Sequence, residues 1–69
     1  MSNATQPDVP IRDAVFVSPE TAAALLGLSR SAVYNLLREG EIASVKRGKR
    51  RLVSRESVQE WAEHQLAAG

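Results

Sequence analysis

The eleven residues from 45 to 55, VKRGKRRLVSR, hold six of the chain's nine basic side chains: Lys46, Arg47, Lys49, Arg50, Arg51 and Arg55. No acid interrupts them, and the rest of the chain carries three basic residues against eight acidic ones. The positive charge is therefore gathered in one place within a chain of net charge +1. Such a cluster reads as a surface for a polyanion. Lysine and arginine there would take phosphate oxygens and release the counterions condensed around them, a driving force that weakens with salt. The competing account is a hairpin edge kept from aggregating by its own charge. Six mutually repelling positives with no neighbouring acid favour the anion.

A second polar set lies upstream. Arg30, Ser31, Tyr34, Asn35 and Arg38 are spaced to share the outer faces of one helix. Arginine can make two hydrogen bonds to guanine O6 and N7, and asparagine can do the same to adenine N6 and N7. Tyr34 has two readings, a phosphate contact or a ring that covers the core with its hydroxyl in water. No pattern of this kind supports catalysis. The chain has no cysteine and a single histidine, His64, with no ligand partner at zinc spacing. No nucleophile stands at a recognisable spacing from a base. An enzyme, a metal and a cofactor are not expected.

The elements that must position these residues are marked by serines and glycines. Ser18 is an N-cap, Pro19 suits the first helical position, and Glu20 lies in the first turn, where the helix dipole favours negative charge. Val17 is placed to pack on Ala22 as a hydrophobic staple. Ala22, Leu25 and Leu26 form an apolar stripe, and Gly27 ends the helix. Ser29 caps a second helix that runs to Gly40 with Val33, Leu36 and Leu37 facing inward. Two helices joined across GLS make a tight corner, the helix-turn-helix arrangement. Ile42, Val45, Leu52 and Val53 then flank a charged turn at Gly48, which reads as two short antiparallel strands with a basic tip. Ser54 caps a last helix with Val58, Trp61, Ala62 and Leu66 on one side, so Trp61 is expected in the core and His64 at the surface.

The ends are simpler. Residues 1–14 are polar and broken by Pro7 and Pro10, and read as a disordered tail; AVFV at 14–17 is expected to lie extended against a domain of residues 15–67. A chain of 69 residues buries only about 60% of its unfolded surface, so the core should be thin. No apolar run approaches the ~20 residues a membrane span needs. The opening MSNATQPDVP has neither the basic flank nor the apolar core of an export signal.

The order helix, glycine turn, helix, basic hairpin, capped helix resembles the excisionase-family DNA-binding domain. The segments that carry the resemblance are VSPETAAALLGLSRSAVYNLLREGEI and SVKRGKRRLVSRESVQEW, from about Phe16 to Leu66. Two positions depart from that family's pattern: Ser54 stands where proline is frequent and caps as well, and Arg51 stands where an aromatic residue is frequent. The second departure favours ionic contact over stacking at the hairpin. The resemblance implies a mainly α fold with a small β-hairpin wing, a MerR-like winged helix-turn-helix. It implies double-stranded DNA as partner, with Arg30, Ser31, Tyr34, Asn35 and Arg38 toward a major groove and Lys46, Arg47, Lys49 and Arg50 on phosphates beside it. It further implies a cytoplasmic excisionase, or recombination directionality factor, that bends attachment-site DNA and assists an integrase. A small MerR-like transcriptional regulator with the same domain is the alternative. A protein-interaction module whose hairpin binds an acidic partner is a third reading, from another class.

One further face has two readings. Glu56, Glu60 and Glu63 recur at spacings of four and three on the last helix. Exposed glutamates are ordinary on a helix, and a solvated face that keeps this helix off DNA accounts for them. They could also meet the basic wing of a neighbouring copy, giving head-to-tail association along one duplex.

Overall fold

Three serines open three helices. The computed structural model describes residues 10–69. Ser18 Oγ accepts from the Thr21 amide at 3.1 Å, Ser29 Oγ from the Ala32 amide at 3.1 Å, and Ser54 Oγ from the Ser57 amide at 3.1 Å. Each bond satisfies an amide that the first turn of a helix cannot pair. The helices that follow are α1 (Pro19–Leu26), α2 (Arg30–Arg38) and α3 (Arg55–Ala68). Gly27 ends α1 at φ 71°, and the Leu28 amide donates to the Ala23 carbonyl at 3.0 Å. Gly40 does the same after α2 at φ 74°, with the Glu41 amide on the Leu36 carbonyl at 2.9 Å. Both are glycine-capped helix ends in which only a residue without a Cβ sits easily.

Three strands form one antiparallel sheet, β1 (Phe16–Val17), β2 (Ser44–Arg47) and β3 (Arg50–Ser54), in the order β1-β3-β2. The short apolar stretch before α1 is thus a strand in its own right, with Phe16 opposite Ser54 and Val17 opposite Val53. The hairpin pairs Ser44 with Val53, Val45 with Leu52, Lys46 with Arg51 and Arg47 with Arg50. Gly48 turns it at φ 60°. The whole is a pair of helices, a hairpin and a closing helix: a winged helix-turn-helix, mainly α.

The core is as thin as the length demands. Val17, Ala22, Ala23, Val33, Ile42, Val53 and Val58 are buried, with Leu26, Leu36, Leu37 and Trp61 packed around them. Val33 and Val53 are the largest side chains fully enclosed. Two expected core positions fall outside. Leu25 is 50% exposed, because the buried face of α1 runs through Ala22, Ala23 and Leu26, and at 100° per residue Leu25 lies about a quarter turn away. Leu66 is 81% exposed, because α3 outlasts the core formed by the described residues. Ile42, expected as a strand residue, is buried from the loop that precedes β2.

Two seams hold the pieces in place, and neither was visible beforehand. Ser57 Oγ accepts from the Ala43 amide at 2.9 Å and donates to the Ser54 carbonyl at 3.0 Å, tying the loop after α2 to the start of α3. Arg55 Nε donates to the Ala14 carbonyl at 2.7 Å, and the Arg55 amide donates to the Val15 carbonyl at 3.0 Å. Of the expected tail, residues 1–9 lie outside the described residues; Ile11–Asp13 form one 3-10 turn and Ala14 packs on the core.

The corner between α1 and α2 supplies a direct check on this architecture. A Cβ added at Gly27 would meet nothing within 4 Å, so Gly27→Ala costs only the left-handed backbone, about 1–2 kcal/mol. Gly27→Asn should cost less, since asparagine tolerates that region. Urea denaturation of the two variants measures both values. Equal stability for alanine and wild type would contradict the left-handed corner.

Candidate nucleic-acid interface

The α1–α2 corner leaves the first turn of α2 at the surface. Arg30 and Ser31 are exposed there, Tyr34 is half-buried one turn on, and Asn35 and Arg38 are exposed beyond it. Arg38 Nη2 donates to Asn35 Oδ1, so these two side chains are held together on α2. Arg30 is held more firmly. Its Nε lies 2.7 Å from Glu20 Oε2 at the start of α1, and its guanidinium carbon sits 5.2 Å from the centre of the Tyr34 ring. The Tyr34 side chain first, and Glu20 second, raise the pKa of Arg30 above its already high ordinary value. The guanidinium is therefore charged at every relevant pH and carries no switch.

The β3 strand brings the hairpin alongside. A groove of about 240 Å³ is lined by Ser18, Pro19 and Glu20 from the start of α1, by Tyr34 from α2, and by Lys49, Arg50, Arg51 and Leu52 from the wing. Residues more than thirty positions apart in sequence thus share one concave surface with three basic side chains and one acidic one. Register explains how the wing's charges are spread. Lys46 and Arg51 are directly opposite each other and share a sheet face with Val53 and Ser44. Arg47 and Arg50 are opposite each other on the reverse face with Val45 and Leu52. Like charges in direct cross-strand pairs are destabilising. Among the described residues the single ion pair is Arg30–Glu20, so no acid relieves them. Among the described residues, Arg51 alone of these four has a side-chain partner, donating from Nη1 to Ser44 Oγ at 3.2 Å. Such a hairpin gains most from an external anion.

The structure gathers Tyr34, Lys49 and Arg50 from the sequence-derived set around that groove, with Arg30 joined to it through Glu20. Asn35 and Arg38 lie further along α2, Lys46 and Arg47 along β2, and Ser31 stands exposed beside Arg30. Sequence reasoning missed Glu20 and Arg51 as members. Glu20 was explained by the helix dipole alone, and nothing in its spacing announces Arg30. Arg51, counted in the basic cluster but not among the hairpin residues expected on phosphate, lines the groove beside its neighbours. A separate groove of about 200 Å³ lies between the loop after α2 and α3, lined by Glu41, Ser57, Glu60, Trp61, His64 and Gln65. Its two carboxylates make it the wrong sign for phosphate. Among the described residues no three histidine, cysteine, aspartate or glutamate side chains gather as metal ligands would, and no helix is long and apolar enough to cross a membrane.

A helix pair with a basic wing at the same rim is the arrangement of a winged helix-turn-helix protein, in which one helix enters a groove of duplex DNA. A model of the family described as Helix-turn-helix domain matches residues 16–66, and the chain belongs to that family. The match runs from the first residue of β1 into the last turns of α3, covering helix pair, wing and closing helix. Comparison with curated proteins and with solved structures gave no match. Membership of the family supports sequence-specific DNA binding.

The charge distribution of the wing makes its contribution measurable. Replacing both Lys49 and Arg50 with alanine should weaken binding to specific and random duplexes alike. It should also flatten the slope of log affinity against log salt by about 1 to 2 units. Fluorescence anisotropy across a salt series reads both quantities. An unchanged slope would show that the wing does not touch phosphate.

Proposed function

We propose that this protein is an excisionase-type architectural factor that binds attachment-site DNA, bends it and directs an integrase toward excision. The observation that carries this reading is the groove shared by the start of α1, Tyr34 of α2 and Lys49, Arg50 and Arg51 of the wing. In this reading α2 lies in a major groove with Arg30 and Asn35 on base edges, and Ser31, Tyr34 and Arg38 beside them. Lys46, Arg47, Lys49 and Arg50 hold the backbone flanking that groove. Contact at two places on one duplex lets the energy of phosphate binding offset the cost of bending it. The resemblance to the excisionase family, from about Phe16 to Leu66, supports DNA binding in both this role and that of a small MerR-like regulator, and a neighbouring integrase gene would favour the first. The basic wing binding an acidic protein is disfavoured by the exposed base-reading residues next to it.

Within the same proposal, Arg30 reads a base. Arg30→Ala should lower affinity for the preferred site about 10- to 100-fold and relax preference at one or two base pairs. A uniform loss on every sequence would make it a phosphate clamp instead. Neighbouring copies on one duplex would place the exposed Glu56, Glu60 and Glu63 face toward the next copy's wing. Glu60→Gln combined with Glu63→Gln should then reduce affinity for multi-site DNA and leave one-site affinity intact.

The deciding experiment is footprinting on DNA around the gene and any adjacent attachment site, with excision scored when the element's integrase is added. A protected tract beside the attachment site, position-dependent mobility of circularly permuted fragments and increased excision are expected. Protection confined to a promoter, with excision unaffected, would establish the regulator. Binding to no duplex, with retention on an acidic protein, would establish the interaction module.

A further inference from the structure

Glu20 is out of place on a surface suited to a polyanion. It is the one acid lining the groove that holds Tyr34, Lys49, Arg50 and Arg51. Glu41 and Glu60 line the other groove, and Glu56 and Glu63 are exposed on α3. The positive end of the α1 dipole explains why an acid is stable at that position. It does not explain why the carboxylate is spent on the first residue of the next helix. Glu20 Oε2 engages Arg30 Nε at 2.7 Å, and Tyr34 supports the guanidinium from its ring face at 5.2 Å. Arginine has five N–H donors in a fixed fork, and the Nε position is only one of them. The terminal Nη groups, the end that pairs with guanine O6 and N7, are not the ones this ion pair occupies.

Two consequences follow, and they act on different DNA. A long side chain that would otherwise sample many rotamers is held in one orientation before it meets a base, which helps only where the matching base is present. The negative charge within the groove repels phosphate wherever the protein lands, which acts on every sequence. We propose that Glu20 is a positioning residue that sets sequence selectivity: it orients Arg30 for a base edge and keeps phosphate from capturing the arginine. The inference rests on the reading of Arg30 as a base contact. Glu20 itself touches Arg30, and its effect on recognition passes through that side chain. Arg30 and Glu20 side chains are 65% and 57% exposed, so the pair adds little to folding and its removal should register in binding.

Glutamine and alanine separate the two effects. Glu20→Gln removes the charge but keeps an oxygen that can accept from Arg30 Nε, whereas Glu20→Ala removes both. The test uses a duplex selected by the wild-type protein from a random pool, the same duplex with the base pair read by Arg30 exchanged, and random duplex, all at one salt concentration. Both variants should bind random duplex about 2- to 5-fold more tightly. Glu20→Ala should shrink the ratio of specific to random affinity about 10-fold and flatten the preference at the exchanged pair, and Glu20→Gln should retain more of that preference. In an Arg30→Ala background neither substitution should change the preference further, and thermal melts should show all variants folded. If Glu20→Ala keeps the wild-type preference while Arg30→Ala loses it, Glu20 does not position Arg30 and the inference falls alone. If Arg30→Ala weakens all three duplexes equally, the base-reading role of Arg30 falls, and the inference falls with it.

Discussion

Everything on the binding side depends on β3 being paired on both edges. Val53 is fully enclosed, with Val17 of β1 opposite it on one side and Ser44 of β2 on the other. One residue later Ser54 still pairs with Phe16 of β1 and at the same time caps α3. The strand that carries Arg50 and Arg51 outward is therefore anchored at its other end in the core, between β1, which leads into α1, and β2, which follows α2. A wing without β1 would be a lone two-stranded hairpin, which is marginal in water. Here it inherits the position of the helix pair.

That anchoring makes the electrostatics intelligible. Lys46 opposite Arg51, and Arg47 opposite Arg50, would open an unsupported hairpin. Held from its base, the hairpin can present repelling charges at its tip. A thin core of valines and alanines thus supports a surface that is strained electrostatically until an anion arrives. The same economy appears at α2, where Arg30 and Arg38 are each held by a neighbouring side chain. The basic groove and the acidic groove near Trp61 have no lining residue in common.

Much of this was legible in the residue order because local signals were strong. The serine caps at Ser18, Ser29 and Ser54, and the glycines at Gly27, Gly40 and Gly48, act through bonds within a few residues, and all three helices begin where those serines place them. Buried positions were legible at Ala22, Val33 and Val58, and not at Leu25, which lies off the buried face of α1, or at Leu66, where α3 overshoots the core. Long-range pairings were out of reach. The Val17–Val53 register, the bond from Ala43 to Ser57 and the hold of Arg55 on Ala14 each join segments that no periodicity connects. The interface divided in the same way. Its basic members, Arg51 included, were announced by clustering, whereas Glu20 belongs to it only because the fold brings it there.

The central claim is that one face, built from the start of α1, the outer side of α2 and the wing, meets duplex DNA. Amide chemical-shift mapping during titration with a short duplex carrying the preferred site tests it most directly. Perturbations should gather on residues 18–21, 30–38 and 46–51, and leave Glu56, Glu60 and Glu63 of α3 nearly unmoved. Perturbations centred on Glu41, Trp61 and His64, with the wing unaffected, would contradict it.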